Sequence, residues 1–262
     1  MSDEAIYAAA SGALVQGMRL EVLANNLANI ETTGFKEDKS IFSNYLPVDD
    51  GEILALPEFQ TTEGYNSIWP YATINSQVKF DGTQSNFSNG TVKQTANPLD
   101  FALEGDGFFC VMTDQGEKRF TRNGNFTLDP NGKLVTQDGL TVLGNNGQDI
   151  IINDKNVSVD DDGKFSADDN ELGSLMVVDF NRPYSLEKVG SSLFVSTEGS
   201  APEHEASSFK VKQGFVELSN VDPIKVMTEM IEVQRAFETY QKIIKSMDEI
   251  VSRSINDLGK PV

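Results

Sequence analysis

Hydrophobic positions in this chain follow two different periods, and the change of period divides it. Between 3 and 29, Ile6, Ala10, Ala13, Gly17, Leu20, Ala24 and Leu27 recur at alternating steps of four and three. Between 222 and 258, Val226, Met230, Val233, Phe237, Tyr240, Ile244, Met247, Val251, Ser254 and Leu258 do the same. That spacing holds one seam of side chains toward a partner helix, so both ends are predicted as heptad helices that pair with each other or with neighbours. Such ends suit a subunit of an assembly better than a freestanding enzyme.

Local signals support both helices. Ser2 is placed to cap the first, with Asp3 and Glu4 at the positive end of its dipole. It is expected to stop near Asn29, with Gly34 following as a left-handed residue. Gly12 and Gly17 each cost roughly 1 kcal/mol against alanine in a helix, and the small seam buries little apolar area. This helix should therefore order only against a partner, its small residues permitting close approach. The second helix has Asp222 as cap and Pro223 in its first turn, and neither proline nor glycine interrupts it before Gly259. At ~1.5 Å per residue it forms a rod of roughly 55 Å with a bulky stripe, complementary in shape to the small one.

Between the helices the period shortens to that of strands. Residues 37–96 hold few apolar runs and many turn formers, such as Asp49-Asp50-Gly51, and read as an extended linker with irregular β structure. From 97 to 216 short β-type runs alternate with turns, predicting an antiparallel β domain, a small sandwich or barrel. Expected strands include 133–136, 140–143, 149–152, 157–159, 164–166, 173–180, 192–196 and 209–216. Gly105-Asp106-Gly107 and Asn123-Gly124 read as hairpin turns. The fold class is therefore α+β. Its segments are an N-terminal helical assembly segment (1–36), a linker (37–96), an antiparallel β domain (97–216) and a C-terminal helical assembly segment (217–262).

Charge narrows the partners. The net charge of −19 excludes a polyphosphate partner, which needs a basic face, and disfavours an anionic membrane surface. Residues 1–36 contribute −2 and 220–262 contribute −1, so the middle carries −16. Near-neutral ends pack without repulsion while the acidic middle stays solvated. No apolar run reaches the length that spans a bilayer, so direct membrane insertion is not expected. The start lacks the basic and apolar regions of a signal peptide.

Candidate chemistry is sparse. The single cysteine, Cys110, permits no internal disulfide and lies in the apolar run Gly107-Phe108-Phe109-Cys110-Val111-Met112, as a buried structural thiol does. Asp160-Asp161-Asp162-Gly163-Lys164 superficially resembles a calcium loop, but Phe165 stands where that loop needs glycine. Asp129-Pro130-Asn131-Gly132-Lys133 has the same form, and both are read as β-turns. His204 sits in a polar stretch, expected as an exposed loop, with no second histidine or nearby cysteine to make a metal or catalytic centre. Asp168-Asp169 alone cannot define a carboxylate pair across a cleft. The expectation is no enzyme, no cofactor and no metal.

Three stretches resemble one family. ANNLANIETTGFK (24–36) is similar to the N-terminal signature of bacterial flagellar rod and hook proteins, and GFVELSNVDPIKVMTEMIEVQRAFETYQ (214–241) to their C-terminal segment. ANPLDFALEGDGFF (96–109) and GEKRFTRNGNFTL (116–128) resemble the shared β domain. The resemblance implies terminal helices paired in an inner tube and a β domain facing outward. It also implies axial assembly with other copies and other rod proteins to transmit torque, with the membrane ring and export-gate components as further contacts. Export would use the flagellar type III apparatus, without a cleaved signal. Asn25, Asn26, Asn29, Thr33, Gly34 and Phe35 match the first motif; Ser219, Asn220, Val221, Met230, Ile231, Gln234 and Arg235 match the second. The asparagines are either helix-end caps or hydrogen bonders between subunits, and Gln234 and Arg235 either solvated or turned toward neighbours. The compact 137–165 run and the long C-terminal end suggest a rod position near the membrane ring, the proximal rod before the distal, and no hook-type insertion is evident. A competing reading is a secreted β-domain enzyme or sugar binder on a helical stalk, against which the single Trp69 offers little stacking surface.

Overall fold

Two long helices bracket a body of antiparallel strands, so the α+β class is observed. The computed structural model describes residues 2–45, 77–152, 157–167, 170–197 and 202–258. The expected turn at Asp49-Asp50-Gly51, Trp69, the Asp168-Asp169 pair and the stop at Gly259 lie outside the described residues, as do the side chains of Ser2, Asp3, Glu4, Ser254 and Leu258. In chain order the elements are α1 (Ser2–Ala28), β1 (Asp38–Tyr45), β2 (Gln77–Ser85), β3 (Val92–Gln94), β4 (Phe101–Gly105), β5 (Phe108–Met112), β6 (Lys118–Thr121), β7 (Phe126–Leu128), β8 (Leu134–Thr136) and β9 (Thr141–Val142). They continue with β10 (Ser158–Val159), β11 (Lys164–Ala167), β12 (Asn170–Ser174), β13 (Val177–Asp179), β14 (Leu186–Val189), β15 (Leu193–Ser196), β16 (His204–Glu205), β17 (Phe209–Gln213), β18 (Phe215–Glu217) and α2 (Pro223–Leu258).

The chain divides into two units. The first comprises Met1–Ala24, Ser40–Gln84 and Met227–Val262; the second comprises Asn25–Lys39 and Ser85–Val226.

In the first unit α1 and α2 meet. Gly12 lies so near Tyr240 that an added Cβ would stand 2.6 Å from the ring, whereas one on Gly17 would keep an ordinary 3.8 Å from Phe237. Arg19 and Glu229 form a half-exposed pair at 4.0 Å. On α2 beyond Val226, Val233 is buried and Glu229, Met230, Ala236, Phe237, Tyr240, Ile244, Met247 and Val251 are half-buried. On α1 Ala9, Ala13 and Leu23 are buried, Ile6, Ala10, Gly17 and Leu20 half-buried, and Ala24 exposed. The inner face of α1 thus drifts off the strict seam. A straight helix turns by 3.6 residues, and a heptad repeat slips about 20° against it in each repeat.

In the second unit the largest sheet runs β14-β15-β6-β5-β9-β8-β7, with β13 pairing both β5 and β16. Smaller sheets are β10-β11-β12, β17-β4 and β18-β3. Because successive strand residues face opposite ways, β5 feeds two cores. Phe109 and Val111 join Phe101, Leu103, Phe126, Leu134 and Phe165 on one side. Phe108 and Cys110 join Phe120, Leu143, Phe180 and Phe194 on the other. Burial on both faces is why this strand reads as an unbroken apolar run.

Two turn readings hold and two require correction. Asp129–Lys133 joins β7 to its partner β8, and Asp160–Lys164 joins β10 to β11. Each aspartate accepts the backbone N–H of the lysine four residues on, at 2.7 Å from Lys133 and 2.8 Å from Lys164. Gly105-Asp106-Gly107 and Asn123-Gly124, however, are not hairpin turns. β4 pairs with β17, and β6 pairs with β5 and β15, so Gly105-Asp106-Gly107 leads from one sheet to another and Asn123-Gly124 leads from β6 to the distant strand β7 of the same sheet. The expected strand 173–180 is split into β12 and β13, and 209–216 into β17 and β18. Residues 149–151 contribute only isolated bridges to Leu143 and Lys133. His204 is exposed as expected, but it lies on β16 rather than in a loop.

Candidate assembly and coupling site

Within the second unit, the matched N-terminal motif and the segment just before α2 fold against each other. α1 ends at Ala28, and the asparagines finish it: Asn29 donates its backbone N–H and its side-chain Nδ2 to the Asn25 carbonyl at 3.1 and 3.0 Å. Thr32 Oγ1 in turn donates to Asn29 Oδ1. Asn26 is buried and pairs like a strand with Asp38, donating to its carbonyl at 2.8 Å and accepting its N–H at 2.9 Å. Leu27 is half-buried and Asn25 exposed.

The chain then turns at Gly34 (φ 69°), and the expectation of a left-handed residue there holds. No other residue type fits, since an added Cβ would lie 2.3 Å from the Asn123 backbone nitrogen. Thr33 Oγ1 donates to Asn123 Oδ1 at 2.7 Å, and Gly34 N–H to the Glu217 carbonyl at 2.8 Å. Phe35 is buried, with Lys188 Nζ 3.8 Å from its ring centroid. Lys188 also donates to the Lys36 carbonyl and to Asp38 Oδ2, each at 2.7 Å. Asn220 accepts the Glu37 N–H at 2.7 Å and donates to the Asn86 carbonyl at 2.8 Å.

Three charges lie at the centre, each about 1–2% exposed. Lys36 Nζ reaches Glu217 Oε1 at 2.6 Å and the Ser88 carbonyl at 2.8 Å. The Gly90 N–H donates to the same carboxylate oxygen at 2.8 Å. Arg122 Nη1 faces Glu217 Oε2 at 3.5 Å, too open for a hydrogen bond, while its Nη2 donates to the Gly105 carbonyl at 2.9 Å. Burial pushes both the Lys36 ammonium and the Arg122 guanidinium below their ordinary ranges, against the pull of Glu217.

In the folded chain Asn26, Gly34, Phe35 and Asn220 direct their hydrogen bonds or apolar surface into their own chain. Sequence reasoning missed Lys36, Arg122, Glu217 and Lys188. A signal existed, because the three charges come one each from the motifs 24–36, 116–128 and 214–241. Farther on, Asp222 caps α2 as expected, accepting the N–H groups of Ile224 and Lys225 at 2.9 and 3.2 Å, and Val226 is buried. Gln234 and Arg235 are exposed on α2.

The helix faces away from the α1–α2 contact carry large apolar side chains. On α1, Tyr7 (68%), Leu14 (65%) and Met18 (39%) form one exposed stripe. On α2, Met227 (50%) and Ile231 (53%) begin another, which Gln234 continues. Among the described residues, no group of acidic, histidine and cysteine side chains is placed to hold a metal, and no helix is long and apolar enough to cross a membrane.

Apolar stripes on the terminal helices and a buried ionic junction within the second unit are features suited to a structural subunit. Family models place the chain accordingly: it belongs to the flagellar basal-body rod protein family. The flagella basal body rod protein model matches residues 6–36, the flagellar hook protein FlgE/F/G D1 domain 102–167, and the flagellar basal body rod FlgEFG protein C-terminal 212–258. The chain is similar to the flagellar basal-body rod protein FlgF of Caulobacter vibrioides, at 34% identity over 98% of this chain and 99% of the relative. It is equally similar to FlgG of Bacillus subtilis, at 34% identity over 96% and 97%. FlgG of Borreliella burgdorferi is 31% identical over 96% and 97%. The protein is thus a structural rod subunit of the flagellum basal body, in a family of structural proteins that assemble with other rod and basal-body components.

Proposed function

We propose that this subunit builds the proximal rod, stacking helically through α1 and α2 on copies of itself and on related rod proteins, and so carries torque along the axis. The observation that carries this reading is the pair of exposed apolar stripes, Tyr7–Leu14–Met18 on α1 and Met227–Ile231 on α2. Covering a large apolar side chain is worth about 1.5–3 kcal/mol, so each stripe favours a neighbouring helix. The close approach at Gly12 and the bulky α2 seam support pairing of α1 with α2 as a coiled coil. On this reading Ile6, Ala10, Ala13, Gly17, Leu20 and Leu27 pack with Val226, Met230, Val233, Phe237, Tyr240, Ile244, Met247 and Val251. Ala24, Asn25, Gln234 and Arg235 then face neighbouring subunits, and Asn29 finishes α1 beside them. A heterologous interface of this kind does not close on itself and so yields a tube. Export proceeds unfolded, and the subunit performs no catalysis.

The compact 137–165 segment favours the proximal over the distal rod. Electron microscopy of basal bodies purified from cells carrying a tagged chain tests this: density near the membrane ring is expected, and density beside the hook assigns the distal rod. Deleting residues 2–24 is expected to remove the subunit from purified basal bodies. Incorporation of the deleted chain rejects helix-driven stacking.

A further inference from the structure

We infer that the two junction segments, 33–38 and 217–220, dock on the β unit only as a pair, with Glu217 the group that makes their docking one step. The lock lies inside one unit and operates whether or not α1 and α2 meet neighbouring subunits. Its members come from three remote parts of the chain: Lys36 follows α1, Arg122 follows β6, and Glu217 ends β18 just before α2. All three are buried, and the set carries a net charge of +1.

Each segment leaves buried charged or polar groups short of partners if it docks alone. With 33–38 undocked, Glu217 keeps the Gly90 N–H at Oε1 and Arg122 at 3.5 Å from Oε2, but it loses the short Lys36 bond and the Gly34 N–H on its carbonyl. With 217–220 undocked, Lys36 and Arg122 are two buried cations with only the carbonyls of Ser88 and Gly105 as partners. Uncompensated buried cations in one half-docked state, and buried acceptors stripped of their donors in the other, cost more than a broken surface pair, so both states are disfavoured. The backbone contacts point the same way. Gly34 N–H meets the Glu217 carbonyl, and Asn220 spans Glu37 and Asn86, so each segment completes hydrogen bonds that the other begins. Segment 86–91 is bound into the lock through the Ser88 carbonyl, the Gly90 N–H and the Leu218 N–H bond to the Thr91 carbonyl. The segment after α1 and the segment before α2 therefore act as two halves of one clasp that is either complete or open.

Hydrogen exchange read by mass spectrometry on the full-length chain tests this with Glu217→Gln. Peptides spanning 30–39, 86–91 and 216–221 are expected to exchange together, about a hundredfold faster, while β5 (108–112) and β8 (134–136) keep their rates. Lys36→Met is a second variant altering only the N-terminal half, and it is expected to loosen 216–221 as well. The inference is overturned if 216–221 is unchanged in Lys36→Met, or if only one segment loosens in Glu217→Gln. It is equally overturned if β5 loosens by the same factor or Glu217→Gln fails to fold, since the triad would then support the whole unit rather than a local clasp.

Discussion

Cys110 packs among Phe108, Phe120, Phe180 and Phe194, fully buried, and burial pushes its thiol up to about 11 from the ordinary 9.0. A thiol that stays protonated to that pH is neither a nucleophile nor a metal ligand at neutrality. The shift bears on stability with a definite sign. The folded-state value is raised above the unfolded one, so the contribution is complete below pH 9 and is lost as pH rises toward 11, where only the unfolded chain ionises readily. Urea unfolding of the wild type and Cys110→Ala at pH 8 and pH 11 checks this. The stability advantage of wild type is expected to shrink by roughly 2–3 kcal/mol across that window, and a constant difference refutes it. The burial of this thiol was legible because the run around it is apolar at every position. The Lys36–Glu217–Arg122 junction was not, because charged residues usually lie at the surface and nothing in spacing shows which three converge.

At the scale of elements, the helices were legible nearly to their ends, since period, cap and stop signals all agree along them. The strands were legible as runs, but not in their pairing. Asn123-Gly124 carries a strong hairpin signal, yet tertiary context overrides it: Asn123 accepts from Thr33 and Gly124 O accepts the Phe101 N–H, so the pair leads to a strand that does not neighbour β6. The two helical glycines separate local from tertiary preference experimentally. Gly17→Ala meets only an ordinary contact with Phe237 and is expected to stabilise the first unit by up to about 1 kcal/mol through helix propensity. Gly12→Val places its branch against the Tyr240 ring and is expected to destabilise by about 1–3 kcal/mol, the cost of overpacking. Thermal unfolding followed by circular dichroism should move Tm in opposite directions for the two. A parallel gain would mean that α1 does not approach α2 closely at Gly12.

Across the whole molecule, the two units differ in what holds them. The second encloses two aromatic cores, with edge-to-face contacts such as Phe109–Phe126 at 5.3 Å and Phe120–Phe180 at 4.8 Å. The first relies on a helix contact whose α1 side is rich in alanine and glycine beside Ile6, Leu20 and Leu23, and whose outer faces leave Tyr7, Leu14, Met18, Met227 and Ile231 in water. Little apolar area is buried there per residue ordered, so local opening of α1 and α2 should cost far less than opening the β unit. On the proposed stacking, the same stripes are covered by neighbours in the rod and the opening becomes rare. Limited proteolysis of the free chain is therefore expected to cut within 2–24 and 227–258 well before 97–216, and the same sites should resist cleavage in purified rods. Cleavage tracks the population of the open form when reclosing is fast, so the ratio of the two rates measures how much of the fold of the helices is supplied by assembly. Termini as resistant as the β unit in the free chain would mean that these helices are fully formed beforehand, and that assembly joins finished parts rather than completing them.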